Sequence, residues 1–437
     1  MTKCYQTSFQ FASVKRRKVE VDFTGGNISS NAGVMLLSKV DERLNLSKRV
    51  AKSLVDSRRA ASCDHSTQEL IRQRILALAL GYEDLNDHQT LRDDLILQTA
   101  VARDKPLASP STLCRFEQKT NRDSAIAVHQ VYFDQFIKSY EKAPRQIILD
   151  FDATDTPLHG DQEGRFFHGY YDHYCYLPLY VFCERHLLVS YLRPSNIDPA
   201  KHSWAILSLL VRAIRSKWPK TRIIFRGDSG FCRWKLLRWC DRNDVKYIVG
   251  IAKNDRLTDQ ARFWINMAET CHKQFNTKQR LFSEFYYAAK TWDRKRRILL
   301  KAEHNSLGSN PRFVVTNLEQ SPQYLYEKIY CMRGDMENRI KDQQLGLFAH
   351  RASSHSWWSN QWRQLLSGLA YILLEGLRRL GLQKTELQNA SPNTIRVKLL
   401  KIGAVVIRNS RRVRIMMSSS FPMKDLFFSI CTRINTS

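Results

Sequence analysis

Apolar residues recur at helical spacing through STQELIRQRILALALGYEDLND, where Ser66 and Glu69 stand at capping-box spacing and Gly81 offers a stop. SPSTLCRFEQ (109–118) begins a second helix, with Ser109 or Ser111 as cap and Pro110 at its mouth. SAIAVHQVYFDQFIKSY (124–140) makes a third. Residues 1–140 are therefore expected to form a mainly helical N-terminal domain. A helix-turn-helix reading turns Arg115, Gln118 and Lys119 toward DNA, and an ordinary helical bundle stands equally open.

After EKAPR (141–145) the period shortens. QIILDFDAT, LPLYVFCE and HLLVSYLRP predict three strands close in sequence. The amphipathic helix 200–218, the strand TRIIFRGD, the helix 231–243 and the strand KYIVGIAK follow. This order predicts an α/β sheet with a meander on one side and parallel crossovers on the other. Residues 254–320 read as a strand-rich insertion, 321–380 as the helical return to the core, and 381–437 as a basic C-terminal segment.

The acids fall at particular places in this pattern. Alternation puts Ile147, Leu149 and Phe151 on one face of their strand, and Ile148, Asp150 and Asp152 on the other. Two carboxylates on a buried face are costly unless something positive meets them. Asp228 ends an apolar strand, at the sheet edge where ligands collect, although a lone acid there is commonly a cap. In RGDMENRIKD a helix would align Arg333, Glu337 and Lys341 at four-residue spacing, as an ion-pair stripe or with Glu337 as a metal ligand. An ordered set of carboxylates suits Mg²⁺ (or Mn²⁺), which prefers oxygen donors. Two such ions can serve an in-line displacement at phosphorus.

Charge narrows the field. Lys and Arg number 69 against 42 Asp and Glu, a net charge of +27. An excess of this size, spread through VKRRK (14–18), WDRKRRILLK (292–301) and RNSRRVR (408–414), suits a long nucleic-acid track better than a membrane-docking patch. Arg296 and Arg297 of the second cluster are expected DNA contacts. The most apolar run, LLSGLAYILLEGLRRL, carries Glu375 and two arginines and is too short to span a bilayer. No apolar stretch at the N-terminus reads as a signal peptide, and the ten cysteines have no paired spacing, so a cytoplasmic protein without disulfides or zinc is expected. Trp358 and Trp362 read as packing anchors.

LDFDATD, RGDSGF and YCMRGDMENRIKD together resemble the three acidic motifs of DDE transposases from bacterial insertion sequences. The resemblance implies an RNase H-like catalytic core with an insertion between the second Asp and the Glu. It places catalytic, metal-binding roles on Asp152, with Asp150 as the fallback, and on Asp228 and Glu337. It implies cleavage at terminal inverted repeats, transfer of the 3′-OH strand to target DNA, assembly as a dimer or higher multimer, and a nucleoid-associated location. The branch signature is met at Tyr330, Arg333 and Glu337, expected DNA or metal contacts. Its lysine is replaced by Gln344, and the nearest lysine is Lys341. Two rival readings are a nuclease or resolvase that uses the same acids without strand transfer, and a catalytically silent DNA-binding protein.

Overall fold

The computed structural model describes residues 8–59 and 63–436. The chain divides into two compact units, residues 1–116 with 373–437, and residues 117–372. The division falls earlier than 140, so the helix Arg122–Lys138 belongs to the second unit and the C-terminal segment joins the first.

A nine-stranded sheet frames the second unit. At its centre Gln146–Ala153, Arg222–Gly227 and Lys246–Ile251 run parallel. Leu179–Cys183 and His186–Tyr191 extend it on one side as an antiparallel meander. On the other side Arg312–Thr316, Arg296–Asn305 and Gln279–Tyr287 continue the same sheet. Segment 254–320 therefore prolongs the central sheet rather than building one of its own, and it opens on a 21-residue helix, Asp255–Phe275, capped by Asn254.

Strand alternation decides what each face of the sheet holds. Ile147, Leu149 and Phe151 enter a large core with Val181, Phe225 and Val249, covered by Leu207 and Ile214 of helix Ser203–Lys217 and Leu237 of helix Trp234–Arg242. Burying each such side chain contributes roughly 1.5–3 kcal/mol. Ile224, Ile248, Leu299 and Val314 face the opposite way and pack under Leu325 and Tyr326. Asp150 and Asp152 share that second face, the one met by the helical segment that leads to Glu337.

In the first unit, helix Thr67–Leu80 is buried on nearly every side. Ser66 and Glu69 make the predicted capping box, and Gly81 ends the helix at φ +96°, a conformation that glycine adopts without steric cost. A small sheet joins Ile28–Ser29 to Ala404–Arg408 and Val413–Met417, tying the two ends of the chain into one body. The ribbon of Ser8–Val14 and Arg17–Asp22 forms a separate two-stranded sheet. Among the described residues no helix is long and apolar enough to cross a membrane, and the nine cysteines are free.

Candidate active site

Asp152 sits on the last turn of pleat of the central strand, and Asp228 follows Gly227, whose register partner is Phe151. The two aspartates thus leave neighbouring parallel strands at the same level. Asp228 also accepts from the Gly230 amide at 2.9 Å, as a cap to the turn Ser229–Phe231. The cap role and a ligand role are compatible, because one carboxylate oxygen is not engaged by that bond.

Glu337 arrives on a helical segment that changes winding repeatedly. A π turn, Leu325–Tyr330, leads through the 3₁₀ turn Cys331–Arg333 into the α-helix Gly334–Lys341, and a second π turn, Asp342–Gly346, closes it. Such turns are concentrated at functional sites, where they re-aim side chains. Gly250 permits the close seat of Tyr330 on the sheet, since a Cβ there would lie 2.5 Å from the tyrosine hydroxyl.

One guanidinium joins the two ends of this arrangement. Arg333 Nη1 donates to Asp152 Oδ2 at 3.0 Å and Nη2 to Glu337 Oε1 at 2.8 Å. The predicted four-residue pair is therefore present, and it reaches further, to the sheet. Burial pushes the Asp152 carboxyl up to about 7; Arg333 opposes the shift, whereas the negative charges of Asp228 and Glu337 add to it. Burial also disfavours the charge on Arg333, but Asp152, then Tyr330, Glu337 and Asp228, outweigh it and raise that pKa. Asp152 thus feels both other acids, with a cation between it and Glu337. Among the described residues no three His, Cys, Asp or Glu side chains stand close enough together to hold an ion as they lie.

Other expected residues fall elsewhere. Both oxygens of Asp150 are engaged by Arg226, through Nε and, at 2.6 Å, through Nη2, and Arg226 also donates to the Ile329 carbonyl. Asp150 is thus a framework group rather than the fallback ligand. Arg226 was not singled out, yet its register opposite Asp150 is implicit in the alternation of IIFRGD. Arg296, an expected DNA contact, has a side chain that is 1% exposed, donates to Asp241 and Asp293, and lies over the Trp292 ring. Arg297 is committed to Glu284 and to the Gln320 carbonyl. Alternation along their strand turned half of a basic cluster inward, where acids meet it.

Lys341 is exposed, without an ion-pair partner among the described residues. Gln344, where the signature has lysine, donates to the Asp155 carbonyl at 2.9 Å and ties the Glu337 segment to the loop after Asp152. The Asp155 carboxylate in turn lies 2.9 Å from His173 Nε2. Arg115 and Lys119 are exposed at the end of helix Pro110–Gln118. Trp362 is buried, as a packing anchor should be.

The family model for the transposase DDE domain, group 1, matches residues 11–437. The chain belongs to this family. It is accordingly a DDE transposase, and such domains are in general metal-dependent enzymes that cut DNA. Among solved structures the chain is similar to a piggyBac transposase, determined by cryo-electron microscopy as a synaptic complex with hairpin DNA. The TM-score is 0.41 and the identity 10%, over 85% of this chain and 80% of that one. No curated protein matches.

The donor set fits a hard divalent cation. Asp152, Asp228 and Glu337 offer only carboxylate oxygens, the donors that Mg²⁺ and Mn²⁺ prefer. A buried carboxylate such as Asp152 needs a positive partner, and here that partner is the Arg333 guanidinium.

Proposed function

We propose that this transposase, from a bacterial insertion sequence, binds the terminal inverted repeats of its element, hydrolyses the DNA there and joins the freed 3′-hydroxyl to target DNA. The observation that supports the reading is the bridge from Asp152 to Glu337 through Arg333, with Asp228 at the tip of the neighbouring parallel strand, in a DDE-family chain. The meander beside the Asp152 strand and the parallel strands on its other side support an RNase H-like core.

Asp152, Asp228 and Glu337 would hold Mg²⁺ or Mn²⁺, two ions in the full site. Bound there, the metal supplies activation of an attacking oxygen and stabilisation of the leaving one. Arg333, released from Asp152, is then placed to hold a phosphate by paired hydrogen bonds, with Lys341 and Tyr330 beside the same backbone. Arg115 and Lys119 are positioned on an exposed helix end for further phosphate contacts. Two element ends must be brought together for joining, which implies a dimer or higher multimer.

Incubation of a labelled duplex carrying the element end with protein, Mg²⁺ and a target plasmid tests this reading. Cutting at the element boundary followed by a joined product is expected. Cutting without joining would return the resolvase reading, and metal-independent binding without nicking would return the silent DNA-binding reading.

A further inference from the structure

The ribbon Ser8–Val14/Arg17–Asp22 is built as if something must lie against it. It pairs Phe9 with Val21 and Phe11 with Val19, so one face carries an apolar row, while Gln10 opposes Glu20 on the other. Phe9 and Phe11 are 54% and 61% exposed, and among the described residues no third strand joins the ribbon. A lone two-stranded ribbon is marginal in water, so such a row calls for a cover.

The tip says what covers it. Val14 pairs with Arg17 across a two-residue turn, Lys15–Arg16, with Lys15 in the left-handed region at φ +56°. Glycine at that position would meet the requirement with less strain. Instead Lys15, Arg16, Arg17 and Lys18 stand consecutively, all exposed and without ion-pair partners among the described residues. Four adjacent cations repel one another unless a polyanion lies among them.

We propose that this ribbon is a DNA-gripping arm, inserted in the major groove with its basic tip on the phosphates and Phe9 and Phe11 toward base edges. A two-stranded ribbon matches the width of that groove, and phenylalanine makes apolar contact with thymine methyls there. The arm rests on the proposed function only in taking duplex DNA as partner. It makes no use of the acids.

The test uses the full chain in an Asp228→Asn background, so that cleavage does not intervene, and a labelled duplex bearing the element end. Replacing Lys15, Arg16, Arg17 and Lys18 by Ala is expected to weaken binding at least about tenfold and to make the log-affinity against log-salt slope shallower by about 3–4. The melting temperature should stay unchanged, since the replaced side chains are exposed. Bound duplex should also slow tryptic cleavage at the tip of the unsubstituted arm. Phe9→Ser with Phe11→Ser should weaken binding and leave the sedimentation mass unchanged.

An unchanged salt slope in the folded quadruple variant would overturn the arm. So would a phenylalanine variant that changes oligomeric mass while binding DNA normally, because the apolar row would then contact a second copy. Failure of the unsubstituted protein to bind any duplex would instead overturn the proposed function.

Discussion

Asp152 and Glu337, far apart in the chain, meet through one guanidinium, with Arg333 donating to Asp152 at 3.0 Å and to Glu337 at 2.8 Å. The glutamate is half exposed and the aspartate buried, so the two ends of the bridge are unequal. The link to Glu337 is an ordinary pair within a helix, worth a few tenths of a kcal/mol. The link to Asp152 compensates a carboxylate withdrawn from water and holds the helical segment to the sheet. Arg333 thus supplies the positive charge between the two carboxylates.

Replacing Arg333 by Gln should cost about 1–3 kcal/mol of stability in metal-free solution, since a buried carboxylate loses its counter-charge. Mn²⁺ should stabilise this variant more than the unsubstituted chain, because the ion replaces the lost charge. Urea denaturation with and without Mn²⁺ checks both statements. An equal Mn²⁺ effect on the two proteins would show that guanidinium and metal do not share a site.

Asp150 and Arg226 form the stronger structural pair. Arg226→Met alone should destabilise by about 3–5 kcal/mol, whereas the joint change with Asp150→Leu should recover much of that loss, because no buried charge is then left unpaired. Thermal unfolding of the single and double variants measures the difference.

Arg296→Met should lower stability by about 2–4 kcal/mol, with Asp241 and Asp293 losing a buried partner, and leave the salt dependence of DNA binding unchanged. Titrations at several salt concentrations check this. A shallower slope would put Arg296 back among the DNA contacts.

These residues also mark what could be read in advance. Alternation in QIILDFDA assigned the faces correctly, because an apolar core claims every second residue. The Ser66/Glu69 cap and the Arg333/Glu337 spacing are local, and they appear as read. The inward turn of Arg296 was hidden, because besides Asp293 three residues upstream it depends on Asp241, far away in the sequence. So was the membership of 279–316 in the central sheet, which rests on Arg312–Thr316 pairing with Lys246–Ile251. The helix Asp255–Phe275 has few buried apolar positions, only Leu257, Ala261 and Ala268, and so gave a weak periodic signal.

The first unit should lose stability in mild acid. His88 is buried, with Gln73 and Arg74 side chains at its ring nitrogens, and burial first, then Arg74, push its pKa well below the ordinary histidine value. A depressed folded pKa means that the unfolded chain takes up the proton first. The contribution is thus complete above about pH 6.5 and is lost as the pH falls below it, by at most ~1.4 kcal/mol per pH unit. Urea denaturation at about pH 7.5 and pH 5.5 should show the decline, with His88→Gln flattening it. His65 of the same unit, also pushed down by burial, leaves a remainder.

The central claim is that Asp152, Asp228 and Glu337 share divalent metal when the protein engages DNA. Its most direct test is the anomalous scattering of Mn²⁺ in crystals of the protein with an element-end duplex. The account predicts density in coordination range of the Asp152 and Asp228 carboxylates, with Glu337 beside it and Arg333 turned away from Asp152 onto a phosphate. Well-ordered crystals in which Mn²⁺ binds elsewhere, and Arg333 still bridges Asp152 and Glu337 with DNA in place, would contradict it.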